Sequence, residues 1–86
     1  MKNIKDTWNQ VLASIEENVT PVSYNTFFNP LKIHSMDEQL KIGYIEAEDD
    51  FIVTLIKNRY IPLIESSFKA VSEEHQGGWV SLVYKK

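Results

Sequence analysis

The segment EAEDDFIVTLIKNRY (residues 46–60) decides the fold, because the sequence changes there from acidic to apolar within a few residues. Its acids are Glu46, Glu48, Asp49 and Asp50, and Phe51 follows them directly. An aspartate at a helix start accepts hydrogen bonds from free backbone N–H groups and complements the helix dipole. The acids lack the spacing and the turn glycine of a calcium loop. The segment therefore predicts the start of a helix, capped by Asp49 or Asp50, and the acids could equally border a surface that a partner recognises.

Helical spacing of apolar residues continues from Phe51 to Val71, and Pro62 interrupts it. Proline removes a backbone hydrogen bond and clashes with the preceding turn, so a kink or break is predicted near residues 58–61. Upstream, a first helix is predicted with Asn3 as its N-cap and with an apolar stripe formed by Ile4, Trp8, Val11, Leu12 and Ile15. A second, short helix is predicted in SYNTFFNP (residues 23–30), capped by Ser23 and ended by Pro30.

Alternating apolar and polar residues predict three strands around these helices. LKIHS (residues 31–35) and LKIGYI (residues 40–45) form a hairpin across the turn MDEQ (residues 36–39), and Gly43 indicates a bulge or a close backbone approach. EEHQGG (residues 73–78) ends the long helix, and WVSLVYKK (residues 79–86) is the last strand. The order α-α-β-β-α-β predicts one α/β (α+β) domain over residues 1–86, with a three-stranded sheet packed on helices.

Composition excludes several classes of protein. The chain has 86 residues, 43% of them hydrophobic, a net charge of −3 and no cysteine. A disulfide framework and a thiolate metal site are therefore excluded, and a protein that holds nucleic acid through bulk positive charge is disfavoured. No apolar run approaches the roughly 20 residues of a membrane span, so we expect a cytoplasmic protein. His34 and His75 have no partner at metal-ligand spacing, and no serine lies in a nucleophile motif. We expect no metal, no cofactor and no enzymatic activity.

Trp8 has two interpretations. Its stripe on the first helix can face the chain's own sheet, or it can be covered by a second copy of the chain, since partly exposed large apolar residues often mark an interface. The sequence does not choose between core and interface.

Three motifs, in order, resemble one family. They are W-x-x-V-L-x-x-I (Trp8, Val11, Leu12, Ile15), VSYNTFFNPLKIHS (residues 22–35) and DDFIVTLIKNRYIPLIESSF (residues 49–68). Together they resemble the N-terminal domain of DnaA, the bacterial chromosomal replication initiator, over nearly the whole chain. The chain departs from the family pattern in having Glu48-Asp49 where Pro-Asn is common, Thr7 before the first tryptophan, and Phe27 at a position that is often tryptophan.

The resemblance implies a KH-like fold and a non-enzymatic protein-interaction role in replication initiation. Implied partners are the replicative helicase, replication regulators and other copies of the initiator. The implied partner-binding residues are Ser23, Tyr24, Asn25, Asp49, Asp50 and Phe51. Weak self-association is implied through Trp8, Val11 and Leu12. The departures bear on which partner is bound and on how strongly the domain pairs with itself.

A second functional class stays open at this point. A KH-like domain can bind single-stranded nucleic acid weakly, and Lys32, Lys41, Lys57 and Arg59 are the cations that would contact it. The net charge of −3 and the lack of the G-x-x-G loop of KH domains argue against this alternative. A steep fall of binding with salt would support it.

Overall fold

The computed structural model of the chain describes residues 3–71 and 78–86. The elements are α1 (Ile4–Glu16), α2 (Pro21–Ser23), a first π-helical segment (Tyr24–Phe28), β1 (Lys32–Asp37), β2 (Ile42–Ala47), α3 (Asp50–Leu55), a second π-helical segment (Ile56–Tyr60), α4 (Ile61–Val71) and β3 (Val80–Lys85). Each π-helical segment continues the helix before it, so the predicted order α-α-β-β-α-β and the α+β class are confirmed. Residues 72–77, which include His75 and most of the predicted helix end, lie outside the described part.

The starts of the first two helices depend on side-chain caps. The Oδ1 of Asn3 accepts a hydrogen bond from the Lys5 N–H at 2.8 Å, which confirms Asn3 as the cap of α1. The second helix starts earlier than predicted. Thr20 is its cap, because its Oγ1 accepts the Ser23 N–H at 3.2 Å, and Pro21 takes the first helical position, where its missing N–H costs nothing. The prediction of Ser23 as the cap is therefore wrong.

The long third helix changes its hydrogen-bonding pattern where a kink was predicted. It runs from α3 into the π-helical turn Ile56–Tyr60 and on into α4, whose second residue is Pro62. Proline cannot donate to the carbonyl four residues before it, and its ring crowds that carbonyl. A wider π-helical turn immediately before the proline relieves this conflict without ending the helix.

The sheet has the order β1-β2-β3, antiparallel between the first two strands and parallel between the last two. Its hairpin turn comes two residues later than predicted, at residues 38–41, and the strand irregularity lies at His34 rather than at Gly43. Gly43 is instead the predicted close approach. A Cβ added there would lie 3.0 Å from Cζ of Phe68, which is buried on α4.

The core lies between the helices and the inner face of the sheet. Trp8, Val11 and Leu12 are 4%, 0% and 9% exposed, and the Trp8 ring packs at 6.0 Å from that of Phe68. The core interpretation of Trp8 is therefore the one that the structure shows. These three side chains are buried in the chain's own core, so in the folded chain they do not form an exposed self-association surface. This corrects the surface predicted on the first helix.

Candidate functional site

The site begins where the acidic segment turns into helix α3. Asp49 has an extended backbone, with φ −146° and ψ 165°, and its Oδ1 accepts a hydrogen bond from the Ile52 N–H at 2.8 Å. Its backbone carbonyl accepts from the Val53 N–H at 3.2 Å. The side chain thereby satisfies one of the free N–H groups of the first turn, the carbonyl accepts the first regular bond of the helix, and Asp50 adds negative charge at the positive end of the helix. The predicted helix start at Asp49 is confirmed.

Glu46 has a different role from the other acids. It belongs to β2 and points to the outer face of the sheet, where the Tyr84 hydroxyl donates to its Oε1 at 3.2 Å and Nδ1 of His34 lies 3.4 Å away. Desolvation of the phenol, followed by the charge of the Glu46 carboxylate and its hydrogen bond, raises the pKa of Tyr84 above its ordinary value. The interpretation of Glu46 as part of the helix start was wrong.

Phe51 is the exposed aromatic of the site. Its side chain is 70% exposed, whereas the next residues of α3, Ile52 and Val53, pack against the core and Ile56 is fully buried. The inward face of the helix is therefore complete without Phe51. A buried ring that staples the helix start would be covered by the chain, and this one is not. Removing an apolar ring from water is favourable, so a partner that covers the exposed Phe51 ring gains binding free energy.

Charged side chains border Phe51 in sequence at the helix start. Asp49 and Asp50 are exposed, and Oδ2 of Asp50 lies 4.0 Å from Nζ of Lys85, at the end of β3. Both side chains of that pair are largely solvated, so the pair contributes little to stability and can separate easily. The site therefore has an apolar centre and a mostly acidic border. Protein–protein interfaces likewise have an apolar core and a polar rim.

The second helix supplies the other predicted residues with unequal exposure. Ser23 is half-buried and its hydroxyl accepts from Thr20 at 3.0 Å, so it is partly used by the local cap. Tyr24 packs against the core, and desolvation, followed by the nearby Glu16 carboxylate, raises its pKa. Asn25 is exposed. Of the three, Asn25 is therefore the one whose side chain is most available to a partner.

Sequence reasoning missed Val22. Its side chain is 75% exposed, more than that of Phe51, and it precedes Ser23 on the same short helix. The signal was an apolar residue directly after the proline that starts a very short helix. Val22 extends the candidate surface of the second helix with apolar area.

The third helix connects the two groups of predicted residues. The rings of Phe27 and Phe28 pack against Tyr60 at 6.5 and 5.0 Å, so the second helix docks at the end of the second π-helical segment. Tyr60 lies nine residues after Phe51, which is about 13 Å along a helix axis. Among residues 3–71 and 78–86, no hydrogen bond, ion pair or ring contact joins Ser23, Tyr24 or Asn25 directly to the Asp49–Phe51 group.

The four cations of the nucleic-acid alternative are spread over the molecule. Lys32 and Lys41 lie at opposite ends of the β1–β2 hairpin, whereas Lys57 and Arg59 lie on the second π-helical segment of the third helix. A groove that follows a phosphate backbone needs its cations in one stripe. A cavity of about 70 Å³ beside Lys32, Glu46 and Lys86 is also much smaller than a ligand pocket of roughly 300 Å³ or more. Neither feature indicates a nucleic-acid groove or a small-molecule site.

The sequence of the chain matches one known protein family. Residues 5–70 match the sequence profile of the DnaA N-terminal domain. The chain belongs to the DnaA N-terminal domain family. A curated relative, the chromosomal replication initiator protein DnaA of Geotalea uraniireducens, is 24% identical over 70 residues, which cover 80% of this chain and 15% of that protein. The chain thus matches only a small part of that relative's length.

A solved structure of another protein has the same fold as this chain. A chain in the crystal structure of a HobA–DnaA (domain I-II) complex from Helicobacter pylori superposes with a TM-score of 0.74, at 19% sequence identity and with 96% of both chains covered. At this identity the likeness supports the fold, and it agrees with the α+β architecture described above. Two properties complete the description: no helix in the described ranges is long and apolar enough to span a membrane, and no group of three or more His, Asp or Glu side chains there could hold a metal ion.

Proposed function

We propose that this chain is a non-enzymatic protein-docking module of bacterial DNA replication initiation, and that Phe51 is the centre of its docking surface. The observation that carries the proposal is the 70% exposure of a phenylalanine on a helix whose inward face is already complete. The family membership and the relative named as a chromosomal replication initiator support the process. The neighbouring fold was solved in a complex with another protein, HobA, which supports a role in protein binding.

The docking surface comprises Phe51 with its border Asp49 and Asp50, and a second patch on the short helix formed by Asn25, Ser23, Tyr24 and the newly recognised Val22. Aromatic side chains surrounded by polar groups carry much of the binding energy at interfaces, and truncating one typically costs about 2 kcal/mol or more. The border acids affect the association rate and the salt dependence more than the affinity. The partners that fit this role are the replicative helicase and replication regulators. Such a role places the protein in the cytoplasm, with the chromosome.

Self-association with other copies of the initiator is part of the same proposal. Because Trp8, Val11 and Leu12 are buried, it requires a surface other than the one predicted on the first helix. We expect it to be weak, with a dissociation constant no tighter than about 10 μM.

The test is a comparative pull-down from the source bacterium with three baits: wild type, Phe51→Ala and Leu40→Ala. Leu40 is the matched control, because it is 66% exposed and lies in the hairpin turn, at the end of β2 opposite to helix α3. We expect the wild-type and Leu40→Ala baits to retain the replicative helicase or a replication regulator, and the Phe51→Ala bait to lose it. Equal retention by all three baits would show that Phe51 is not the docking centre.

A further inference from the structure

The outer face of the sheet is a second surface, separate from the Phe51 site. Side chains alternate along β2 and β3, so that Gly43, Ile45, Ser81 and Val83 are buried beneath the helices. The side chains between them point outward. Val80 and Leu82 are 46% and 45% exposed, and Ile42 and Tyr44 lie beside them in register. None of these four belongs to the core of the described residues or packs against it. Together they form a continuous apolar strip, half-buried at Ile42 and Tyr44 and exposed at Val80 and Leu82, and apolar surface of this kind is a feature of interaction sites.

The strand register arranges this outer face in three rows. The first row is Asp37, Ile42 and Val80; the second is Ser35, Tyr44 and Leu82; the third is Lys32, Glu46 and Tyr84. The outward residues of β3 are all apolar or aromatic. Those of β1 have an acid, Asp37, at one end and a base, Lys32, at the other. Two copies of such a surface are complementary when they are related by a 180° rotation about an axis along the middle row.

We propose that this outer sheet face packs against the same face of a second copy of the chain; the inference rests on the self-association part of the proposed function. A two-fold axis that runs across the strands through the middle row places Leu82 against Leu82 and Val80 against Tyr84. It also places Asp37 of one copy opposite Lys32 of the other, in two equivalent pairs. The contact is a face-to-face packing of two sheets, about 10 Å apart.

The size of the face explains why this association is weak. Each of the three strands has six residues. With strands about 4.8 Å apart and a rise of about 3.3 Å per residue, the face covers roughly 300 Å². Stable interfaces bury roughly 800 Å² on each partner. A dimer that depends on this face therefore forms at high local concentration, as when several copies are held together, and separates on dilution.

The charges of the face favour a second copy over single-stranded nucleic acid. Tyr44 and Tyr84 could stack on bases, but Glu46 lies between them and holds the Tyr84 hydroxyl. Lys32 is the one lysine in the three rows, and Glu46 lies directly across from it on β2. A carboxylate in the middle of the aromatic residues repels phosphate, whereas one acid and one base at opposite ends of a strand suit an identical partner.

The experiment is sedimentation equilibrium of wild type, Leu82→Glu and Ala13→Glu over a range of protein concentrations. Leu82→Glu places two carboxylates against each other on the axis, and we expect the dissociation constant to rise at least about tenfold. Ala13→Glu is the matched control, since it makes the same charge change at an exposed aliphatic residue of α1, in the helical layer that covers the inner face of the sheet, and it should associate like wild type. Thermal melts of both variants establish that they are folded.

Three results would overturn the inference, and they are distinguishable. If Leu82→Glu associates as wild type does, the sheet face is wrong but self-association stands. If wild type is monomeric at every concentration, self-association itself fails, while docking at Phe51 is unaffected. If wild type stays monomeric but binds a single-stranded oligothymidylate that Leu82→Glu does not bind, the face serves nucleic acid instead.

A cross-linking measurement gives an independent check on the axis. The chain has no cysteine, so Leu82→Cys introduces a single thiol. Sheets about 10 Å apart are too distant for a disulfide but suit a short bis-maleimide linker. Leu82→Cys should cross-link into dimers several-fold more efficiently than Ala13→Cys, a cysteine at an exposed position of α1. Equal yields from the two variants would contradict the two-fold axis through Leu82.

Discussion

At the scale of single residues, the adjacent pair Phe27 and Phe28 shows how packing separates chemically identical side chains. Phe28 is fully buried and meets the Tyr60 ring edge-on at 5.0 Å, whereas Phe27 is only half-buried and its ring centroid lies 6.5 Å from the same tyrosine. At helical spacing, adjacent residues such as these lie on neighbouring parts of the helix surface, so periodicity allows both rings on one side of the second helix. It could not rank them, because the difference depends on where the third helix crosses, and that is a property of the tertiary structure.

This difference predicts unequal costs of truncation. Phe28→Ala should lower the free energy of unfolding by about 3–5 kcal/mol, because it removes a buried ring and leaves a cavity. Phe27→Ala should cost clearly less, since solvent already reaches part of its ring. Small domains have a total stability of about 5–15 kcal/mol, so the first variant approaches unfolding. Urea denaturation of the two variants measures both costs. If the two variants lose the same free energy of unfolding, Phe28 does not contribute more to the core than Phe27.

At the scale of elements, helix starts were predictable where the cap is a local hydrogen bond. Asn3 and Asp49 were both recognised as caps, since each accepts from an N–H two or three residues later. The second helix was misjudged, because Thr20 and Ser23 are both good caps and the advantage of Pro21 at the first helical position was not weighed. Pro62 predicted a disturbance correctly. The sequence did not indicate that a π-helical turn would absorb it, since that choice depends on the core contacts of Ile56.

The cap at Asp49 can be separated from its role as a border charge. Asp49→Ala removes both the cap and the charge, and should cost about 1 kcal/mol of stability. Asp49→Ser keeps a side-chain acceptor for the Ile52 N–H and removes only the charge, so most of the stability should return. If the border charge steers partners, both variants should slow association to a similar degree. Thermal melts combined with stopped-flow association rates measure the two effects. A serine variant as unstable as the alanine variant would contradict the role of Asp49 as a cap.

At the scale of the whole molecule, the order of elements and the family were predictable, but the distribution of buried and exposed surfaces was not. The apolar stripe of α1 gave no indication of what covers it, and the structure places α4 and Phe68 there. The open outer face of the sheet was not foreseen, because alternation in a strand does not show how many faces are covered. Family resemblance predicts Phe51 as an interface residue. Its exposure follows from the completeness of the inward face of the third helix, which only the assembled core shows.

The most direct test of the central claim measures Phe51→Ala in two ways on one sample: its melting temperature, and its affinity for a purified partner identified by the pull-down. Because the ring is 70% exposed, the melting temperature should stay close to that of wild type. The dissociation constant for the partner should rise about thirtyfold, which corresponds to about 2 kcal/mol. A collapsed melting transition would show that Phe51 belongs to the fold. An unchanged melt with unchanged affinity would show that the docking surface lies elsewhere, and either result would contradict the account.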